Sequence, residues 1–597
     1  MRLLLSPSLI ALSLGVTLLI ATPTSAQGAG TSRPKNLCKC IPDDKTCWPS
    51  EAAWEEFNDK KGVNGKNGVH GRLIATTPVA SVCHGMPGVP RDEAKCKEVE
   101  AGYGFDKWRS NQPGAVMSAN WETFMGEGCL LKQTTPCEQG AVPLYTVNAT
   151  SVDDVVATVK FASKNNLPFV VKNTGHDYLG RSMGIYSLSL WTHFMKKISH
   201  NDMFIPDGAP ANTKAEAAMI LEPGVVWEEA YNYANQHNRL VVGGNHPTVG
   251  AAGGFCQSGG HGPLSPLHGL CVDNVLQYKV VIANGTVLDA NAYQNQDLFW
   301  ALRGGGPSYG VVVEAVYRTH PPASFQVALL NITATDEAMM LKVSEAYYAH
   351  QTRLSAAKWA GYALTRKDHL FMVYHLPNGN EATARNDFAP FKQELEAIGA
   401  TIDKERYLPM PSYKAFLDFW ASISSGRNVG LNLLLGSRLI PSTMLSSREG
   451  SKQLATTMFG ILKATQPNTK EYLSMLVTGG QVAKANAAET SVHPGWRTAG
   501  LFNVIYGGWA DSTPVDQQKD FATRLTTAVD ELRKITPGAG TYMNEADANE
   551  PDFKDAFFGP NYQRLLEIKN KYDPQSLFYC RKCVGSDEWD ALSVCRM

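Results

Sequence analysis

Beyond residue 26 the sequence has no apolar run approaching the ~20 residues that a membrane-spanning helix needs, so no span is expected in the mature chain. It also lacks charge imbalance: 55 basic against 56 acidic residues leave a net charge of −1. That excludes the basic footprint of a nucleic-acid binder and the acidic tail that would mark a polyelectrolyte partner. There are no internal repeats and no low-complexity tracts, which excludes a solenoid. What is there is a chain of 597 residues, 44% of them hydrophobic, long enough to bury more than one core. Its expected partners are small molecules, and it is expected to act as a monomer.

Residues 1–26 read as a secretory signal peptide. Arg2 supplies the positive start, Leu9 to Ala21 the apolar centre, and Thr24-Ser25-Ala26 a small-residue cleavage site. Twelve cysteines suit the oxidising compartment this address implies, and their even number argues for disulfides whose pairing the sequence leaves open. Cys580-x-x-Cys583 has the form of half a zinc site, but no matching Cys/His pair stands near it, so no metal is expected. Three sequons, at Asn148, Asn284 and Asn331, permit N-glycans.

Residues 27–137 are rich in Gly, Pro, Lys and Cys and read as a disulfide-stapled extension with no activity assigned. From there the pattern sharpens. Ser151 followed by two aspartates opens a helix whose valines, at 152, 155, 156 and 159, mark one buried face. Pro168–Val171 is a short buried strand. It breaks into Thr174-Gly175-His176-Asp177-Tyr178-Leu179-Gly180-Arg181, where two glycines permit tight turns and free N–H groups with Arg181 suit a diphosphate. Strand and helix then alternate as far as Leu240–Val242. The glycine-dense run Gly243 to Gly262 follows, and glycine at that density marks backbone pressed against a ligand or another strand. It is not the G-x-G-x-x-G of a Rossmann turn. Asn284-Gly285 predicts a two-residue hairpin turn between Val280–Ala283 and Thr286–Ala290. Residues 323–540 alternate long strands with helices and read as a second domain, a largely antiparallel sheet with helices on one face. Residues 541–597 return to compact, polar, motif-like sequence.

Five pieces occur in order: Gly175-His176-Asp177-Tyr178 after a strand, the Gly243–Gly262 run, Gly269-Leu-Cys-Val-Asp273, Asp297-Leu-Phe-Trp-Ala-Leu-Arg-Gly-Gly-Gly306, and Asn561-Tyr-x-Arg-Leu through Tyr572-Asp-Pro to Phe578. Together they resemble the vanillyl-alcohol oxidase/p-cresol methylhydroxylase flavoproteins, in particular the secreted fungal oxidases of the berberine-bridge-enzyme-like branch. The resemblance implies an α+β fold: a two-subdomain FAD-binding domain at 138–322, a substrate domain at 323–540, and a C-terminal segment returning to the first. It implies FAD held covalently by His176. The family's second tether is a Cys, and here that slot holds His246, so a single link is expected. Cys256 and Cys271 are the neighbouring alternatives, although a disulfide or a buried thiol suits them better.

In the histidine loop the expected cofactor contacts are Asn173, Thr174, Gly175, Asp177, Tyr178, Gly180, Arg181 and Ser182. In the glycine-dense run they are His246, Pro247, Thr248, Val249, Gly250, Gly253 and Gly254, and further on Ser258, Gly259, Gly260, His261, Gly262 and Leu264. Gly310 and Val312 complete the set. Val249 falls at the family's gate beside the flavin, where a small residue goes with oxygen access. The implied reaction is hydride transfer from an alcohol to the flavin, with O2 as final acceptor and H2O2 as product. Tyr542, then Glu545, are the candidate bases, and Trp359, Tyr374 and Trp420 the candidate pocket aromatics. Two other readings compete: an oxidative cyclase or desaturase on the same fold, and a secreted binding protein with a degenerate flavin site.

Overall fold

The computed structural model describes residues 38–59, 68–423, 429–590 and 594–597, so the signal segment lies outside the described residues. Ser151 Oγ accepts from Asp154 N at 3.2 Å and the Asp154 carboxylate accepts from Ser151 N at 3.0 Å. This reciprocal cap opens the helix Val152–Lys164. The helix links two strands of a small sheet in which Tyr145–Asn148, Leu188–Trp191 and Phe169–Lys172 run parallel. Leu73–Ala75, from the cysteine-rich extension, adds an antiparallel edge. A second sheet is antiparallel, in the order Ile198–Phe204, Glu216–Leu221, Val311–His320, Val275–Val281, Val287–Asn291, with Leu240–Val241 paired to Val311–His320.

The turn closing Val275–Val281 on Val287–Asn291 has three residues, not the expected two. Ile282 N still bonds Thr286 O at 3.0 Å, and Gly285, at φ +81°, takes the left-handed position that ends such a loop.

Residues 325–509 form a seven-stranded antiparallel sheet, in the order Thr401–Met410, Phe325–Thr333, His369–Pro377, Ala360–Thr365, Tyr472–Leu476, Ala499–Trp509, Asn432–Pro441. Glu337–Ala356, Glu381–Ile398, Arg448–Ala464 and Val515–Ile535 are its long helices. The expectation of helices on one face alone is incomplete. The helix Tyr413–Ile423 lies on the opposite face, with Phe416 against Phe325 and His375 and Trp420 against Tyr362.

The extension is stapled by Cys40–Cys47, Cys83–Cys96 and Cys129–Cys137. The C-terminal segment docks on the first half: buried Lys569 donates to Ser308 O at 2.8 Å, and Tyr572 OH to Asp297 Oδ1 at 2.9 Å. Cys580 pairs with Cys583.

Candidate active site

A cavity of about 680 Å³ lies where the first half, the seven-stranded sheet and the C-terminal segment meet, within the 300–1,000 Å³ typical of ligand sites. The histidine loop lines it as Phe169–Lys172 ends. Gly175 sits at φ +83°, and a Cβ there would lie 3.0 Å from the Cα of Val116. Only glycine lets the loop pass this close to the extension, to which Met117 N adds a bond to Gly175 O at 3.0 Å. Gly180 is not on the cavity wall. Its role is contact, since a Cβ would lie 2.5 Å from the Trp121 ring. Trp121 Nε1 in turn donates to Tyr178 O at 3.1 Å.

Arg181 is less available than the sequence suggests. It pairs with Asp177 at 2.6 Å and donates to Asn544 Oδ1 at 2.8 Å, which leaves Nη1 buried without a protein partner. Asn173, Thr174, Asp177, Tyr178 and Ser182 all line the cavity.

His176 is half-buried, and its Nε2 lies 2.8 Å from Thr248 Oγ1. Burial, then the neighbouring His246 ring 4.6 Å away, holds its pKa well below the ordinary histidine value, so the ring is a neutral imidazole. From the glycine-dense run, His246, Pro247, Val249, Gly250, Gly253, Gly254 and His261 line the cavity, as do Gly310 and Val312. Thr248, Ser258, Gly259, Gly260, Gly262 and Leu264 stand behind this wall. A Cβ on Gly262 would lie 1.9 Å from Gly243 O, and Leu264 is fully buried, so these positions pack the loop rather than face the cavity. Cys256 and Cys271 are bonded to each other, so neither offers a thiol as a second tether.

The 3₁₀ turn Met543–Glu545 and Tyr542, the residue before it, bring three polar side chains, Tyr542, Asn544 and Glu545, to the cavity. Glu545 Oε1 lies 3.2 Å from His261 Nε2. Tyr542 OH donates to Phe255 O at 3.2 Å and accepts from Asn544 Nδ2 at 2.6 Å. Burial pushes its phenol well above the ordinary value, and the Glu545 charge pushes it further. Tyr178 is pushed up to about 12 by the same two causes in the same order. Both phenols are therefore proton donors at neutral pH, and Glu545 is the group suited to accept a proton.

The far wall corrects two of the three aromatic expectations. Trp420 lines the cavity; Trp359 and Tyr374 do not. Trp359 is fully buried and donates from Nε1 to Asp387 Oδ2 at 2.9 Å, against the helix Glu381–Ile398. Tyr374 OH donates to Gln351 Oε1 at 2.7 Å, under the helix Glu337–Ala356. The reason is strand alternation. Tyr374 pairs with Gly361, whereas Tyr362, Met475, Leu473, Val504, Leu435 and Tyr506 fall on the other face, which is the cavity wall. Period-two counting from any one wall residue finds the others, but nothing in the sequence says which parity faces inward. Asn544 lies between the two candidate bases but is not itself among the expected site residues, and Asp106, beneath Thr248, carried no sequence signal.

The FAD binding domain family matches residues 143–291, and the family described as berberine and berberine like matches 541–585. An FAD-linked oxidoreductase of Arthroderma benhamiae is 37% identical over 95% of this chain and 97% of its own length. The VAO-type flavoprotein oxidase VAO615 of Thermothelomyces thermophilus is 34% identical over 94% of this chain and 95% of its own. The crystal structure of the VAO-type flavoprotein MtVAO615 from Myceliophthora thermophila C1 superposes with a TM-score of 0.84 at 31% identity, covering 94% of this chain and 100% of that one. The residues present fit FAD. Asn173 Oδ1, Asn245 Oδ1 and Arg181 Nη1, all on cavity-lining residues, have no protein partner. A Cβ on Gly254 would meet nothing within 4 Å, so the wall keeps room there for a ligand. By sequence, fold and site, the chain belongs to the VAO-type, berberine-like FAD-linked oxidoreductases.

Proposed function

We propose that the protein is a secreted oxidase of CH–OH donors that holds FAD covalently through His176 and passes electrons to O2, releasing H2O2. One observation carries the reading: the His176 loop, the Glu545 carboxylate and the mostly apolar wall of the seven-stranded sheet all face a single cavity. FAD supplies the hydride acceptor and the electron path to O2 when bound.

The chain's own residues do the rest. Glu545 accepts the hydroxyl proton of the donor at Oε2, while His261 Nε2 holds Oε1 and fixes the carboxylate's orientation. Tyr178, protonated at neutral pH, donates a hydrogen bond to the donor oxygen. Tyr542 positions the segment by its bond to Phe255 O rather than by exchanging protons. Leu435, Leu473, Met475 and Val504 exclude water from the donor carbon, with Tyr362 and Trp420 as its flat flanking surfaces. Val249 lines the cavity with a small side chain that leaves room for O2. The signal segment and the disulfides support secretion, and Asn284, exposed at its hairpin tip, is the sequon best placed for a glycan.

The test is the purified protein's flavin absorbance before and after acid precipitation, followed by peroxide release on a panel of primary and secondary alcohols, sugars and phenols. A colourless protein, or a flavin that leaves entirely on precipitation, removes the covalent assignment. Product formation without peroxide favours the cyclase or desaturase instead.

A further inference from the structure

Asp106 lies on the short helix Asp106–Ser110 of the disulfide-stapled extension, yet its buried carboxylate reaches Thr248 of the glycine-dense run, which in turn meets the histidine loop at His176. Thr248 Oγ1 is 3.1 Å from Asp106 Oδ2, 2.8 Å from His176 Nε2 and 3.3 Å from His246 Nδ1. His246 Nε2 is 3.9 Å from the same Asp106 oxygen. A hydroxyl has one proton to give, and a carboxylate can only accept. Thr248 therefore donates to Asp106 and accepts from His176, which places the imidazole proton of His176 on Nε2. Nδ1 keeps its lone pair, and no described protein group bonds it. The placement of Asp106 is itself enforced. Arg109, one turn on, is fully buried, donates from Nε to Val116 O at 2.7 Å and pairs with buried Glu122. Asp106 Oδ1 is held by Lys107 N at 2.7 Å.

We propose that Asp106, acting through Thr248, fixes the tautomer of His176 and so makes Nδ1 the nucleophile that anchors the flavin. The inference rests on the covalent reading of His176. The bond that forms joins Nδ1 to the C8 methyl carbon of the flavin. One methyl C–H bond breaks, and its electron pair is passed on to dioxygen. Imidazole N–H, methyl group and O2 become the N–CH2 link and H2O2, so hydrogens and electrons balance. Alkylation at Nδ1 leaves Nε2–H on a cationic ring until its proton departs. The Nε2–H···Thr248···Asp106 chain points a carboxylate at that positive charge through one hydroxyl. The cysteine-rich extension thereby contributes to the site from outside the cofactor-binding residues. Asp106 and Thr248 are positioning residues: their effect is on attachment.

The experiment follows covalent FAD in the full-length protein by acid precipitation and in-gel flavin fluorescence, at harvest and during incubation with excess FAD. Thr248→Val and Asp106→Asn are expected to bind FAD yet attach it at least ten-fold more slowly than wild type, and Thr248→Ser to attach it at the wild-type rate. Attachment at the wild-type rate in Thr248→Val overturns the inference, and that near-isosteric variant decides the matter if Asp106→Asn does not accumulate. His176→Ala separates the two levels. If it still retains FAD covalently, the anchor reading itself fails. If it releases FAD while Thr248→Val attaches normally, only the tautomer assignment fails.

Discussion

His261 Nε2 stands 3.2 Å from Glu545 Oε1, joining the glycine-dense run to the C-terminal segment across 284 residues of sequence. The contact holds a carboxylate at the cavity with one oxygen occupied and the other free. Glu545→Gln keeps the shape and removes the proposed proton acceptor. Its flavin reduction by donor, followed anaerobically by rapid mixing, is expected to slow by about 10²–10⁴-fold, the range for a lost general base. Tyr542→Phe, which loses the bonds to Phe255 O and Asn544 Nδ2 but no proton acceptor, is expected to slow by less than ten-fold. Equal rates in wild type and Glu545→Gln would move the base elsewhere.

Gly254 lines the cavity with open space where a Cβ would project, whereas a Cβ on Gly250 would lie 2.1 Å from Asn173 Nδ2. Gly254→Val is expected to lower the flavin-to-protein absorbance ratio with the far-UV circular dichroism unchanged. Gly250→Ala is expected to lower both flavin content and thermal midpoint, because it displaces the histidine loop. Full flavin in Gly254→Val would mean that the cofactor does not use this wall.

Trp420 and Trp359 lie on opposite faces of the same sheet. Trp420→Ala is expected to raise KM for bulky donors several-fold with little change in thermal midpoint. Trp359→Ala empties a fully buried site and is expected to cost about 3–5 kcal/mol of stability, read by denaturant unfolding, with KM unchanged. A selective KM effect from Trp359→Ala would contradict the register given above.

Lys172, the last residue of the strand leading into the histidine loop, is fully buried, and burial lowers its pKa to about 7 against an ordinary 10.5. Between these values the unfolded chain holds a proton that the folded chain lacks, so raising the pH through this window stabilises the fold. Below about 7 both states are protonated and the contribution to the slope vanishes. Lys172→Met is expected to flatten stability against pH between about 7 and 10.5, by up to ~1.4 kcal/mol per pH unit. Unfolding curves across that range measure it, and parallel slopes for wild type and variant would contradict the shift.

The residues determined by themselves whatever depends on near neighbours in the chain. Ser151 and Asp154 write their own capping box, Gly175 and Gly180 permit the turns around His176, and the glycines from 243 to 262 announce a backbone that must approach something closely. The alternating pattern after residue 323 likewise determined a sheet and most of its strands. The tertiary structure decided everything that joins distant segments or selects a face. It set which parity of each strand looks inward, putting Trp359 and Tyr374 under helices and Tyr362 and Met475 on the cavity wall. It committed Arg181 to Asp177 and Asn544, and it carried Asp106 from the extension to within reach of Thr248. The physical reason is that turns and caps are settled by the conformational limits of a few adjacent residues. Facing, proton allocation and long-range hydrogen bonds are settled only by what packs on the other side, and no local pattern encodes that.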